Sequence, residues 1–321
     1  MFLSHFSRRR EYGSELTDIH KFIEVLPSDK PDGGSALKSA INGYAYAVGT
    51  FDCPSLADLR EDPAVNAAKG KGALTLTVQS GDVAAFHADP SNAKATFQAA
   101  SQFNCLEFVG PAVVPEDGVT GYSSDRTQGP ACSIACGPAT VYRNYFVEGH
   151  GLPEAQKGQC AEAMIDNLYE LNRALGNEGG RMMQVQGGYT MARDDGLHEL
   201  NEQIAGEDRE QLKSLLRIGV HAGVEVTASS WGTRPVARES FDAPPGPGHV
   251  VTQVFGSACS VNYSRNSTAL WQPFAQLVLE ASYEATLMAA AKNAEQHGYG
   301  ESSRVVYLTL LGGGVFGNEV R

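Results

Sequence analysis

The residues best equipped for chemistry lie near the C-terminal end of the sequence, in Val305-Val-Tyr-Leu-Thr-Leu-Leu-Gly-Gly-Gly-Val-Phe-Gly-Asn-Glu319. Gly312, Gly313 and Gly314 carry no Cβ, so their amides can turn inward and approach an anion closely. Gly317 lets the chain turn again after Val315 and Phe316. That is the chemistry of a phosphate cradle. The plain alternative is a strand followed by a glycine turn, and neither a full GxGxxG nor a GKS/GKT phosphate loop is present to decide between them. A second group is Ser101, Gln102 and Asn104, set directly after the apolar run Ala95–Ala100. Such side chains offer directional hydrogen bonds without a fixed charge, as a sugar-hydroxyl or adenine-ribose site needs; a solvated loop is the blander account. A third is Thr127-Gln-Gly-Pro-Ala-Cys132, where Gly129-Pro130 fits a turn into a helix start and leaves free amides as a second anion-binding edge. Cys132 and Cys136 are four apart and share a helix face. They read as packed thiols, as a nucleophile without an identified base, or as a metal pair. The nearest histidine, His150, sits between glycines that offer nothing to orient it.

These groups need elements to hold them. Val305–Leu311 is apolar and β-branched at its start, which predicts a strand buried on both faces with the glycine loop at its carboxyl end. Leu74-Thr-Leu-Thr-Val78 alternates as a strand, and Ala95–Ala100 predicts another. Residues 1–72 read as an N-terminal extension forming a packing layer on the main sheet. Within it, Leu16–Val25 predicts a short helix, Ala45–Phe51 a strand, and Ser55-Leu-Ala-Asp58 a capped helix start. Residues 148–248 read as a mainly helical insertion, with apolar faces along Pro153–Leu175 and Leu197–Val220, a short strand at Met182–Val185, and a rigid proline-rich return loop at 241–248. Val250–Ser260 predicts a buried strand and Trp271–His297 a long helix. Strand, helix and strand from Val250 to Leu311 make a βαβ unit with parallel pairing.

Composition narrows the partners. With 321 residues and 42% hydrophobic content the chain can bury a large core. A net charge of −12 argues against a nucleic-acid or acidic-membrane binder, so any anionic ligand must be held by local amides and dipoles. Six cysteines without a CxxC pair or zinc-type histidine spacing read as reduced thiols in a cytoplasmic compartment, with no metal site. No run approaches the length of a membrane span.

Taken in order, these pieces resemble a macrodomain, the ADP-ribose-binding family. The resemblance is carried by Phe97–Asn104, Gln128–Tyr145, Val250–Ser260, Trp271–His297, and Val305–Asn318 with its closing Gly314-Val-Phe-Gly317. It implies a three-layer α/β/α sandwich with a mostly parallel mixed sheet and a helical insertion, its core split between residues 73–147 and 249–321. Carried over position by position, Ser101, Gln102 and Asn104 would face the distal ribose, while Gln128, Gly129, Ala131 and Cys132 would hold a phosphate. Gly312, Gly313, Gly314, Val315 and Phe316, closed by Gly317 and Asn318, would wrap the pyrophosphate. The implied ligand is ADP-ribose or an ADP-ribosylated protein, and no cofactor is called for. The implied activity is removal of ADP-ribose from a modified side chain, with arginine suggested by effector-type relatives. A non-catalytic reader and a cysteine-dependent hydrolase or transferase are the alternatives. The usual glycine run before the first helix is replaced by Thr127-Gln-Gly-Pro-Ala131, and the paired glutamates of poly(ADP-ribose) glycohydrolases are missing there. Hydrolysis of a glycosidic bond calls for a carboxylate near the sugar. Glu319 and Asp125 are the leading candidates, ahead of Glu107, with Asn104 positioning water.

Overall fold

The computed structural model describes residues 15–27, 34–229 and 249–319. Among these, the strands are β1 (Ile23–Leu26), β2 (Ser35–Ser39), β3 (Ala45–Asp52), β4 (Thr96–Ser101), β5 (Met183–Gln186), β6 (Tyr189–Ala192), β7 (Gly219–Glu225), β8 (Val250–Ser257) and β9 (Val306–Tyr307). The helices are α1 (Glu15–Phe22), α2 (Leu56–Glu61), α3 (Pro63–Ala68), α4 (Val83–Ala88), α5 (Gln128–Ala135), α6 (Gly137–Tyr145), α7 (Tyr169–Ala174), α8 (Asp194–Gly206), α9 (Arg209–Ser214) and α10 (Thr268–Gln296).

Seven strands form one mixed sheet in the order β1-β2-β3-β7-β8-β4-β9, and β5 pairs with β6 in a separate hairpin. The protein is an α/β fold. Its sheet is mostly antiparallel: only β4 with β8 and β4 with β9 run parallel, while β1 through β8 pair antiparallel in turn. This corrects the expected parallel majority. The cause is that β1, β2 and β3 are joined by short hairpin connections, which allow only antiparallel pairing. Within the N-terminal segment β1, β2 and β3 thus extend the sheet, while Leu56 and Leu59 of α2 join the cluster under α10. Similarly, β7 lies inside the sheet between β3 and β8, so the stretch 148–248 is not all outside it.

Alternation along β8 shows both faces covered. Thr252 and Val254 face α10, where Thr252 Oγ1 donates to Asn293 Oδ1 at 2.9 Å and Val254 joins the cluster of Trp271, Phe274, Leu277 and Ala281. Gln253 and Phe255 face the other way, Gln253 Nε2 donating to the Cys132 carbonyl on α5 at 2.8 Å. α10 is the helix expected from its apolar stripe, with Ser267 accepting from the Ala269 amide at its start. Each large side chain of that stripe contributes roughly 1.5–3 kcal/mol through burial. The expected capping box is also present: Ser55 Oγ accepts from Asp58 N at 3.0 Å and Asp58 Oδ2 from Ser55 N at 2.8 Å.

Four expectations change. Leu74–Val78 forms no strand and stands in solvent. β9 pairs for only two residues, at the sheet edge, and is not buried on both faces. Pro153–Leu175 yields only the one-and-a-half turns of α7, because Pro153, Gly158 and a left-handed His150 and Gly151 keep the preceding chain irregular. Leu197–Val220 breaks into α8, α9 and the start of β7. The return loop at 241–248 lies outside the described residues.

Candidate functional site

β9 is short because another group takes its place. Even-numbered residues of β4 present their backbone toward β9, as the Thr96 amide does to the Val305 carbonyl at 3.0 Å. Beyond Tyr307 the β9 chain leaves the ladder, and the side-chain amide of Gln128 substitutes for it. Gln128 Oε1 accepts from Ala100 N at 2.7 Å and its Nε2 donates to the Gln98 carbonyl at 2.8 Å. The departing chain is held instead by side chains. Gln98 Oε1 accepts the Thr309 amide at 3.2 Å, and the Tyr283 hydroxyl donates to the Thr309 carbonyl at 2.7 Å while accepting from Leu311 N at 3.0 Å. The gap opened at the carboxyl end of β4 is a cavity of about 470 Å³.

That cavity brings together Ser101, Gln102, Asp125, Gln128, Gly312, Gly314, Val315 and Phe316, all named from the sequence. The glycine loop forms one wall. Gly312 (φ +68°) and Gly317 (φ +74°) are left-handed, and a Cβ on the first would collide with Asn318 and on the second with Asn262. Asn318 closes the loop, its amide donating to the Gly312 carbonyl at 2.8 Å and its Nδ2 to the Cys259 carbonyl at 2.7 Å. Asn262 fixes the far side through the Phe316 carbonyl at 3.0 Å and the Val315 carbonyl at 3.2 Å. With the carbonyls so engaged, the amides of Gly314, Val315 and Phe316 donate to no other described residue. The start of α5 forms the opposite wall. A Cβ on Gly129 would strike the Ala100 carbonyl, so glycine lets the helix begin hard against β4.

Several named residues serve the walls without facing the cavity. Asn104 is fully buried: its Nδ2 donates to the Gly187 carbonyl at 3.1 Å and its Oδ1 accepts from Leu106 N at 3.0 Å. It clamps the β5–β6 turn to the end of β4 and has no access to a sugar or water. Gly129, Ala131 and Cys132 are buried behind Pro130, which lines the cavity in their stead. Gly313, Gly317, Asn318 and Glu319 belong to the loop but not to the lining, and Glu319 is exposed. Cys132 and Cys136 are fully buried, and that burial pushes both thiols well up. All six cysteines are free.

Residues not named as ligands, Tyr189 and Tyr263 among them, complete the site. Tyr189, Tyr263 and Phe316 form an aromatic cluster with ring centroids 4.9–5.6 Å apart, drawn from the β5–β6 hairpin, the loop after β8 and the glycine loop. The hairpin is tied there by reciprocal bonds: Thr190 N donates to Ser260 Oγ and Ser260 N to Thr190 Oγ1, each at 2.9 Å. No spacing rule links positions this far apart. Glu107 lies at the floor, fully buried, accepting from Ser133 Oγ at 2.5 Å and paired with Arg143 at 3.4 Å. Burial raises its pKa, while Arg143 and Ser133 pull it back. Asp125 is half-exposed at the rim; its Oδ1 accepts both the amide and the hydroxyl of Thr127 at 2.8 Å, and Oδ2 takes no bond from another described residue.

No family model, curated protein or solved structure matches the chain. The cavity must therefore speak through its own chemistry. Its lining holds no lysine or arginine, two carboxylates, three aromatic residues that pack on one another besides Phe108, and loop residues 314–316 whose amides donate to no described residue. Elsewhere, Glu116, Cys160 and Glu162 present ligand atoms within 4.8 Å of one another. Among the described residues no helix is long and apolar enough to cross a membrane.

Proposed function

We propose that this cavity binds ADP-ribose in the manner of a macrodomain, and that the protein removes ADP-ribose from modified protein side chains. The observation that carries the reading is that Gly314, Val315 and Phe316, whose amides donate to no described residue, line a cavity shared with an aromatic group and the start of a helix. A diphosphate is the ligand that such a wall stabilises without a basic side chain, through oriented N–H groups and a helix dipole. The aromatic cluster supplies a flat apolar surface for the base or a sugar, and Gln102 and Thr127 supply hydroxyl partners.

For hydrolysis, Asp125 replaces Asn104 and Glu319 as the residue of choice, because it alone combines a carboxylate on the lining with partial exposure. Its Oδ2 would accept a proton from water as the oxygen attacks the anomeric carbon, the carbon–nitrogen or carbon–oxygen bond breaks, and the departing side-chain atom takes a proton from solvent, to which Asp125 later releases its own. Asp125→Asn should lower release of free ADP-ribose from a modified protein by at least ~100-fold while leaving affinity within about threefold. Unchanged turnover would remove Asp125 from the mechanism. One observation favours a second reading, a binder without turnover: both lining carboxylates already hold partners, Asp125 in Thr127 and Glu107 in Arg143 and Ser133. Absence of turnover at saturating ADP-ribosylated protein would select it.

A further inference from the structure

The segment expected as a strand at 74–78 is the most solvent-exposed apolar stretch in the described structure. Leu74, Leu76 and Val78 are 82%, 85% and 96% exposed, alternate with threonine, and pair with nothing. From Gly72 to Gly81 no residue carries a charge. Such a sequence is strongly β-forming and, left bare, seeks an edge.

An edge of the same character lies at its root. Lys71 Nζ donates to the Tyr299 hydroxyl at 3.1 Å and sits over that ring, a few residues ahead of β9. β9 is the outermost strand of the sheet. Just past it, Thr309 spends its amide and carbonyl on Gln98 and Tyr283 and the Leu310 carbonyl accepts from Gly313 N at 3.1 Å, while the amides of Leu308 and Leu310 donate to no described residue. Leu308 and Leu310 are 39% and 70% exposed. An open apolar edge of this kind is a template for strand addition.

We propose that two copies of this chain associate reciprocally, the arm at 73–79 of each adding as a strand to the open β9 edge of the other. Three features single out a second copy as the occupant. The arm and the edge share the pattern Leu-Thr-Leu, at 74–76 and 308–310, so the same alternation of apolar and threonine side chains is offered from both sides. Both are uncharged over their length, on a chain of net charge −12, so this is a surface where two acidic copies can meet without like charges opposed. Each copy also carries one arm and one edge side by side, which allows a closed two-fold exchange rather than an open chain. Because Leu310 lines the cavity, the added strand would close that wall from outside.

Sedimentation equilibrium of the full chain tests this. The expected result is a concentration-dependent dimer. Leu74→Lys with Leu76→Lys, and separately Leu308→Lys, should each weaken it at least ~100-fold while circular dichroism stays native, since these side chains stand in solvent. Mixing the two variants should restore a heterodimer, because one retains an intact edge and the other an intact arm. A monomer at every concentration overturns the proposal, whether the arm closes on its own β9 or another polypeptide takes the edge. A dimer indifferent to both variants overturns it equally.

Discussion

Single atoms decide how the glycine loop works. At Gly317 the backbone is left-handed and Asn262 occupies the space a Cβ would need, so Gly317→Ala must either displace Asn262 or reshape the loop. Strain of this kind costs on the order of 1–3 kcal/mol. The expected outcome is a folded protein whose ADP-ribose affinity falls at least ~10-fold by calorimetry, a tenfold change being about 1.4 kcal/mol. Unaltered affinity would mean the loop does not touch the ligand. The glycine loop was legible at Gly312–Gly314, and of these Gly312 has the left-handed backbone and the filled Cβ position that require glycine. The parts played by Asn104 and Glu107 were not legible. A polar residue after a strand can face a ligand or clamp a neighbouring turn, and only the position of Gly187 shows that Asn104 does the second.

At the scale of elements, the cavity exists because three segments meet where β9 leaves the sheet. The helix at α10, the strand at β4 and the capped turn at Ser55 were evident from periodicity and capping chemistry, which are local. The strand β7 was not, since Gly219–Glu225 continues a run whose leucine spacing suits a helix. Its strand form is set by partners on both sides, β3 and β8, supplied from distant sequence. The β5–β6 hairpin is likewise placed by long-range bonds. Ser260→Ala removes a buried hydroxyl that both accepts from Thr190 N and donates to the Thr190 carbonyl at 2.8 Å. Leaving such groups unpaired costs roughly 1–3 kcal/mol. Urea denaturation should show that loss, and ADP-ribose affinity should fall several-fold as Tyr189 and Tyr263 lose their support. If stability falls and affinity does not, the aromatic cluster is not part of the ligand site.

For the molecule as a whole, buried histidines set the acid limit. Burial lowers the pKa of His87 to about 4, with Nδ1 at 2.7 Å from the Val83 carbonyl, and drives His221 well down. Because the folded value of His87 lies below the unfolded one, the unfolded chain binds the extra proton between them. Stability from this group is therefore complete above about pH 6.5 and is lost as pH falls toward 4. The loss amounts to roughly 3 kcal/mol at 1.36 kcal/mol per pH unit. Glu107 acts in the opposite sense: its raised folded value makes its buried charge costlier as pH rises through the weakly acid range. Comparing urea midpoints of the native protein and His87→Gln across pH 7 to 4 isolates the histidine, and the native protein should lose the greater stability. Equal slopes would show that His87 is not held neutral.

The central claim, that amides rather than cations hold a diphosphate in this cavity, is tested most directly by titration calorimetry of the full chain with ADP-ribose, ADP and NAD. The account predicts micromolar or tighter binding of ADP-ribose and clearly weaker binding of the other two. Failure of ADP-ribose to bind, or equal binding of all three, would contradict it.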